Sequence, residues 1–240
     1  MKNNNKRLII KVCGMRDEEN IKAVSALDID MMGFIFYPKS PRYVSQISSR
    51  AGIIPDYSQE RIEQLTKKST NANCDHQPLR VGVFVDDMPQ NIVTRIYNFN
   101  LDLVQLHGEE SPVMIENLKR TLVPDIAPHI RIIKALPIAD KDDFQRAGQY
   151  EGMVDFFLFD TKCSTKGGSG NRFDWGLLSA YQGQTPFLLS GGIGPEDAEA
   201  IRRIDHPQFA GIDVNSRFET SPGVKDVEKL RSFVEVLRNQ

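Results

Sequence analysis

The chain has 240 residues, 40% of them hydrophobic and 26% charged, with a formal net charge of −2. This suits a soluble globular protein with a sizeable core, and the lack of a basic block or stripe argues against nucleic acid as a partner. No apolar run nears the ~20 residues that cross a bilayer, and the start lacks a secretory apolar stretch. The three scattered cysteines, Cys13, Cys74 and Cys163, fit neither a disulfide framework nor a zinc site. A cytoplasmic protein with no membrane partner is expected.

Short apolar runs alternate with helix-like stretches along the whole chain. Strands are predicted over Leu8–Cys13, Met31–Phe36, Arg80–Val85, Leu103–His107, Arg131–Ala135, Asp155–Asp160, Pro186–Ser190 and Phe209–Val214. Between and after them the pattern predicts helices over Glu18–Leu27, Gln46–Lys67, Gln90–Phe99, Pro112–Leu122, Lys141–Ala147, Trp175–Tyr181, Glu196–Arg203 and Lys225–Leu237. Asp17, Ser111 and Asp226 can cap first-turn amides, while Pro112 and Pro195 suit a first helical position. The strands read as continuous apolar runs, which implies burial on both faces. Eight strands alternating with eight helices in about 240 residues predict one (β/α)8 barrel of the phosphate-binding type, a single domain over residues 1–240. The polar stretch Thr66–Leu79 is expected to be a surface loop on the face opposite the active site.

In such a barrel the chemistry sits at the C-terminal ends of the strands and in the loops that follow. Strand one ends in Cys13-Gly14, with Lys11 on the same face. Strand two runs into Tyr37-Pro38-Lys39-Ser40-Pro41-Arg42, strand four ends at His107 after Gln105, and strand six ends at Asp160. Taken singly, each has a structural reading as well. Cys13 could be a small buried hydrophobe, Asp160 a loop-fixing acceptor and His107 a satisfied polar residue, with Lys11 the buried partner of Asp213. The glycine-rich ends carry more information. Gly191 and Gly192 follow strand seven and Asn215-Ser216 follows strand eight, where phosphate-binding barrels hold an anion on backbone amides. Ser164–Gly170, after strand six, suits a mobile lid and lacks the order of a P-loop.

The motifs KVCGM, GFIFYPKSPRYV, VGVFVDD, VQLHGEES, FDTKCSTKGGSGNRFDW, LLSGGI and GIDVNSRFE…GVKD occur in that order. Together they resemble the signature of the phosphoribosylanthranilate isomerases of tryptophan biosynthesis. The resemblance implies a cofactor-free, metal-free Amadori rearrangement of a phosphorylated aminosugar. It implies Cys13 as general base, Asp160 as general acid and Arg42 as the holder of the anthranilate end. It further implies a phosphate cradle at Gly191, Gly192, Asn215 and Ser216, with His107 also among the substrate-binding candidates. Lys11, Gln105 and Asp213 are supporting candidates, Lys11 by favouring the thiolate. The chain departs from the family pattern at Arg217, where a glycine is usual, and Arg217 is expected to lie in solvent. A catalytically silent sugar-phosphate-binding barrel and another aminoaldose isomerase on the same scaffold are the competing readings. Association with other enzymes of the pathway is left open.

Overall fold

The computed structural model describes residues 7–45, 77–122, 126–160 and 175–239. Eight parallel strands close on themselves in chain order: β1 (Ile9–Cys13), β2 (Met31–Ile35), β3 (Leu79–Phe84), β4 (Leu103–Leu106), β5 (Arg131–Pro137), β6 (Phe156–Asp160), β7 (Phe187–Ser190) and β8 (Phe209–Val214). β8 pairs with β1, so no edge is left open. The predicted barrel is therefore present. The largest discrepancy in a strand boundary is at β5, predicted to stop at Ala135 and observed to run to Pro137.

Around the barrel lie α1 (Glu18–Ser25), α2 (Pro89–Phe99), α3 (Pro112–Leu122), α4 (Ala198–Arg202) and α5 (Val227–Arg238). The predicted caps are in place. Asp17 accepts from the Asn20 amide at 2.9 Å, Ser111 from Met114 at 3.2 Å and Asp226 from Lys229 at 3.1 Å. Two predicted α-helices are instead 3₁₀ helices, Asp142–Gln149 and Trp175–Ala180. In the first, the Asp140 and Asp143 carboxylates take backbone amides of residues 139, 140, 142 and 143, competing with the α-helical pattern. The predicted Glu196–Arg203 helix divides into a 3₁₀ turn, Pro195–Asp197, and the short α4. The predicted helix Gln46–Lys67 lies outside the described residues. Most of the Thr66–Leu79 loop does too, and its last residue already belongs to β3, where Leu79 donates to the Asp30 carbonyl at 2.9 Å. Among the described residues no helix is long and apolar enough to cross a membrane.

The continuous apolar runs divide into two cores. Met31, Val81, Leu103, Ile133, Leu158, Leu188 and their neighbours fill the barrel interior. The alternate residues, such as Ile10, Val12, Val104 and Ile132, pack outward against the helices. Toward the C-terminal ends the buried groups turn polar, with Lys11, Gln105, Asp160 and Asp213 all under a tenth exposed.

The opposite rim is fixed by a repeated device. Asp30, Asp102 and Asp155 each stand immediately before an even-numbered strand. Each side chain accepts, at 2.7 Å, from an amide of the preceding strand: Ile10, Arg80 and Ile132 respectively. The backbone amide of each aspartate donates back to the carbonyl of the same residue at 2.9 Å. Each carboxylate thus pins the register of one strand pair. Arg238, in the last turn of α5, adds bonds to the carbonyls of Leu8 and Asp28 and to Asp30, tying the end of the chain to the start of β1. Asp102→Ala should lower unfolding free energy by about 1–3 kcal/mol, the cost of stranding a buried amide. Because the site lies at the other rim, kcat should stay within about twofold of wild type. Urea denaturation and steady-state kinetics on the same preparation check both statements.

Candidate active site

β1 brings Lys11 and Cys13 to the interior, and β8 brings Asp213 alongside, in direct register with Lys11. Lys11 Nζ donates to Asp213 Oδ1 at 2.8 Å, and Ser190 Oγ donates to Asp213 Oδ2 at 3.4 Å. Cys13 lies opposite Gly33 of β2. A Cβ at position 33 would come within 2.8 Å of Cys13 Sγ and 3.2 Å of Lys11 Nζ, so Gly33 leaves the space these two groups occupy. Burial pushes the Cys13 thiol above its ordinary 9.0. The charge of Lys11 pulls it down, Asp213 adds to the rise, Lys225 pulls down, and burial prevails. Lys11 thus acts in the expected direction on the thiol, but it does not deliver a thiolate in the resting protein.

Directly after β1, Gly14 has φ +80°, a conformation that favours glycine. A Cβ there would stand 2.6 Å from Arg42 Cδ and 2.7 Å from Asn215 Oδ1, so the bare backbone lets both side chains approach the mouth of β1. Arg42 is already engaged. Its Nε and Nη2 donate to the two carboxylate oxygens of Glu219 at 2.8 and 2.5 Å. Glu219 follows β8 in a small hairpin made of β9 (Glu219–Ser221) and β10 (Val224–Lys225). Lys225 Nζ, fully buried, donates to Glu219 at 2.6 Å and to Asn215 Oδ1 at 2.8 Å. The Asn20 side chain of α1 exchanges two 2.8 Å bonds with the Lys225 backbone and fixes the hairpin against the barrel. Glu219, Lys225 and Asn20 were not singled out in the sequence. Glu219 and Lys225 both stand within the last motif, GIDVNSRFE…GVKD, which does not by itself assign them a role.

The other wall of the mouth is built by β4, β5 and β6. Gln105 Nε2 lies 2.8 Å from His107 Nδ1, and His107 Nε2 lies 3.5 Å from Asp160 Oδ2. Behind them Lys134 of β5 is buried and donates to the Gly108 carbonyl at 2.7 Å and to Glu110 at 3.0 Å. Glu110 in turn accepts from the Gly108 amide at 3.0 Å. Neither Lys134 nor Glu110 was a candidate, although a lysine inside an apolar strand was a visible signal. Asp160 stands three strands from Cys13 around the barrel, through β8 and β7.

At the ends of β7 and β8 the candidate cradle comes together, since Leu189 pairs with Ile212 and Gly192 and Asn215 each follow three residues later. Gly191 and Gly192 have φ values of +101° and +68°, and a Cβ on Gly192 would meet nothing within 4 Å. The backbone at Gly192 thus faces open space. Ser216–Phe218 is a 3₁₀ turn, and among the described residues only Asp86 and Asn100 are non-glycine residues with positive φ. Arg217 therefore needs no left-handed conformation. It lies in solvent as expected, half exposed and ion-paired with Glu196 of the neighbouring loop. The predicted lid, residues 164–170, lies outside the described residues.

The Glu219 carboxyl gives a pH prediction. Burial alone would raise it, but the hydrogen bonds from Arg42 and Lys225 prevail and hold it at about 2, against an ordinary 4.5. A depressed carboxyl stabilises the fold fully above its unfolded value and loses that contribution as pH falls through the folded value. Wild-type urea midpoints should accordingly fall between pH 4.5 and about 2. Glu219→Gln, already unable to ionise, should show a flatter fall over the same window.

A model of the family described as N-(5'phosphoribosyl)anthranilate (PRA) isomerase matches residues 10–236. The N-(5'-phosphoribosyl)anthranilate isomerase of Parabacteroides distasonis is 46% identical over 228 residues, which cover 95% of this chain and 92% of that protein. The crystal structure of the phosphoribosyl anthranilate isomerase from Thermotoga maritima is similar with a TM-score of 0.69 at 31% identity, covering 97% of this chain and 100% of that one. A phosphoribosyl anthranilate isomerase in complex with reduced 1-(o-carboxyphenylamino)-1-deoxyribulose 5-phosphate matches with a TM-score of 0.69 at 29% identity, with the same coverage. With most of its length matched by the family model and by a relative at nearly half identity, the chain belongs to the N-(5'-phosphoribosyl)anthranilate isomerase family.

Proposed function

We propose that this protein is a cytoplasmic enzyme of tryptophan biosynthesis. It converts N-(5'-phosphoribosyl)anthranilate to 1-(2-carboxyphenylamino)-1-deoxyribulose 5-phosphate, with Cys13 as general base and Asp160 as general acid. The observation that carries the assignment of roles is the placement of a thiol and a carboxyl at the C-terminal ends of β1 and β6, on separate walls of one barrel mouth.

The chemistry needs two proton transfers at different atoms. Asp160 delivers a proton to the furanose oxygen, which opens the ring and leaves a protonated imine. That cation acidifies the adjacent C2 hydrogen, and the Cys13 thiolate removes it to give an enamine that tautomerises to the ketone. Groups on different walls can reach the two atoms without exchanging protons directly. At its ordinary value of 9.0 a thiol is only about 1% ionised at pH 7, and the burial of Cys13 makes the thiolate scarcer still in the resting protein. The iminium charge formed in the first step lies next to the thiol and favours its ionisation when it is needed. Arg42, held through Nε and Nη2 by Glu219, presents the remaining edge of its guanidinium to the ring carboxylate. The bare loops at Gly191-Gly192 and Asn215-Ser216 receive the phosphate.

Turnover of the anthranilate substrate, followed by its fluorescence with the purified protein, tests the activity itself, and absence of turnover would sink the proposal. Cys13→Ala and Asp160→Asn should each lower kcat by about 10²-fold or more, with product-analogue affinity within about threefold of wild type. An Asp160→Asn variant that kept a tenth of wild-type kcat would move the acid elsewhere. Arg42→Ala should raise KM about tenfold or more for ligands bearing the ring carboxylate and much less for simple sugar phosphates. Equal losses for both ligand classes would place Arg42 in support of the fold or the phosphate end.

A further inference from the structure

The proposed acid has a supply problem. Each turnover leaves Asp160 as a carboxylate, and it must regain a proton before the next substrate can open. Asp160 is nearly enclosed, with 11% of its side chain exposed, whereas the His107 side chain beside it is 33% exposed. His107 therefore bridges the buried carboxyl and solvent, with its Nε2 3.5 Å from Asp160 Oδ2. Its other ring nitrogen is held by Gln105 at 2.8 Å. The backbone on either side is held as well. The His107 amide donates to the Phe84 carbonyl at 2.8 Å, and the buried Lys134 ammonium binds the Gly108 carbonyl at 2.7 Å. A histidine intended only to bind substrate would not need its ring turned, from behind, toward the acid.

Resting on the assignment of Asp160 as the acid, we propose that His107 is a positioning residue that returns the proton to Asp160, with Gln105 selecting the ring nitrogen that faces it. With the Gln105 amide nitrogen 2.8 Å from Nδ1, the tautomer that fits this orientation carries its ring hydrogen on Nε2, directed at an Asp160 carboxylate. The Gln105 carbonyl oxygen is buried without a partner among the described residues. Rotating that amide by half a turn places the oxygen on Nδ1–H, leaving the Nε2 lone pair to accept from a protonated Asp160. The two amide orientations thus match the spent and the loaded acid. Reloading starts from the Nε2–H tautomer: Nδ1 takes one proton from solvent as the Gln105 amide turns its oxygen onto the new Nδ1–H. The Nε2 proton then passes to Asp160, and the proton taken up by Cys13 leaves to solvent, so the cycle closes with no net change.

The test uses His107→Ala, His107→Asn and Asp160→Asn of the full-length protein, with added imidazole as the probe. His107→Ala should lose about tenfold or more in kcat with KM within about threefold, and imidazole should restore kcat in proportion to its concentration. His107→Asn keeps a hydrogen-bond donor but carries no proton, and it should be as slow as the alanine variant. A His107→Asn enzyme with kcat within about twofold of wild type would overturn the proposal. So would a slow His107→Ala enzyme that imidazole does not accelerate, since a purely structural role would not respond to a soluble proton carrier. Wild-type-like turnover by Asp160→Asn would instead remove the acid assignment, which separates failure of that reading from failure of the relay.

Discussion

A buried ion pair between Lys11 and Asp213 sits at the seam where the barrel closes. An ammonium with no solvent exposure is costly to hold unless a carboxylate meets it, and here the partner comes from the last strand at 2.8 Å. The pair adds little net stability by itself, because desolvation offsets most of the attraction. Its effect is to specify the arrangement. Shifting β1 by one residue would turn Lys11 outward into the apolar layer and Cys13 with it, so the register that satisfies the charge also aims the thiol into the mouth. Gly33 on one side and Ser190 on the other complete the pocket around this pair.

The same constraint sets the charge of the site. Lys11 is the cation nearest in effect to Cys13, but Asp213 answers its charge and burial outweighs what remains. A second set, Arg42, Glu219 and Lys225, balances itself in the same way on the hairpin after β8. The free protein therefore keeps its positive groups in position and largely compensated. A substrate bringing a carboxylate, a phosphate and, after ring opening, a cation would change that balance at the points where the reaction needs it.

The strands were legible because burial on both faces leaves a continuous apolar run. The 3₁₀ segment Asp142–Gln149 was misread because its departure from an α-helix depends on which backbone amides two aspartate side chains capture. Within the candidate site, the strand-end positions of Cys13 and Asp160 were legible through their motifs, and Asp213 was a plausible partner for the buried Lys11, which it meets at 2.8 Å. What Arg42 touches was not legible, since its partner Glu219 is 177 residues away and only barrel closure brings them together. Asn20 and Lys225, 205 residues apart, were hidden for the same reason. Arg217 lies in solvent as expected, but its pairing with Glu196 across two adjacent loops is a contact that pattern at either position does not reveal. The three rim aspartates repeat in the sequence immediately before β2, β4 and β6, so their signal was present, but only the strand pairing gives it meaning.

The central physical claim is that the proposed base rests as a thiol because burial outweighs the lysine beneath it. The most direct measurement is the ¹³C chemical shift of [3-¹³C]cysteine-labelled protein followed against pH, in a Cys74→Ser, Cys163→Ser background that leaves Cys13 as the single label. The Cys13 resonance of the free protein should titrate with a midpoint above 9.0, the ordinary thiol value. A midpoint near neutrality would contradict the claim, because it would mean that Lys11 already holds a thiolate before any substrate arrives.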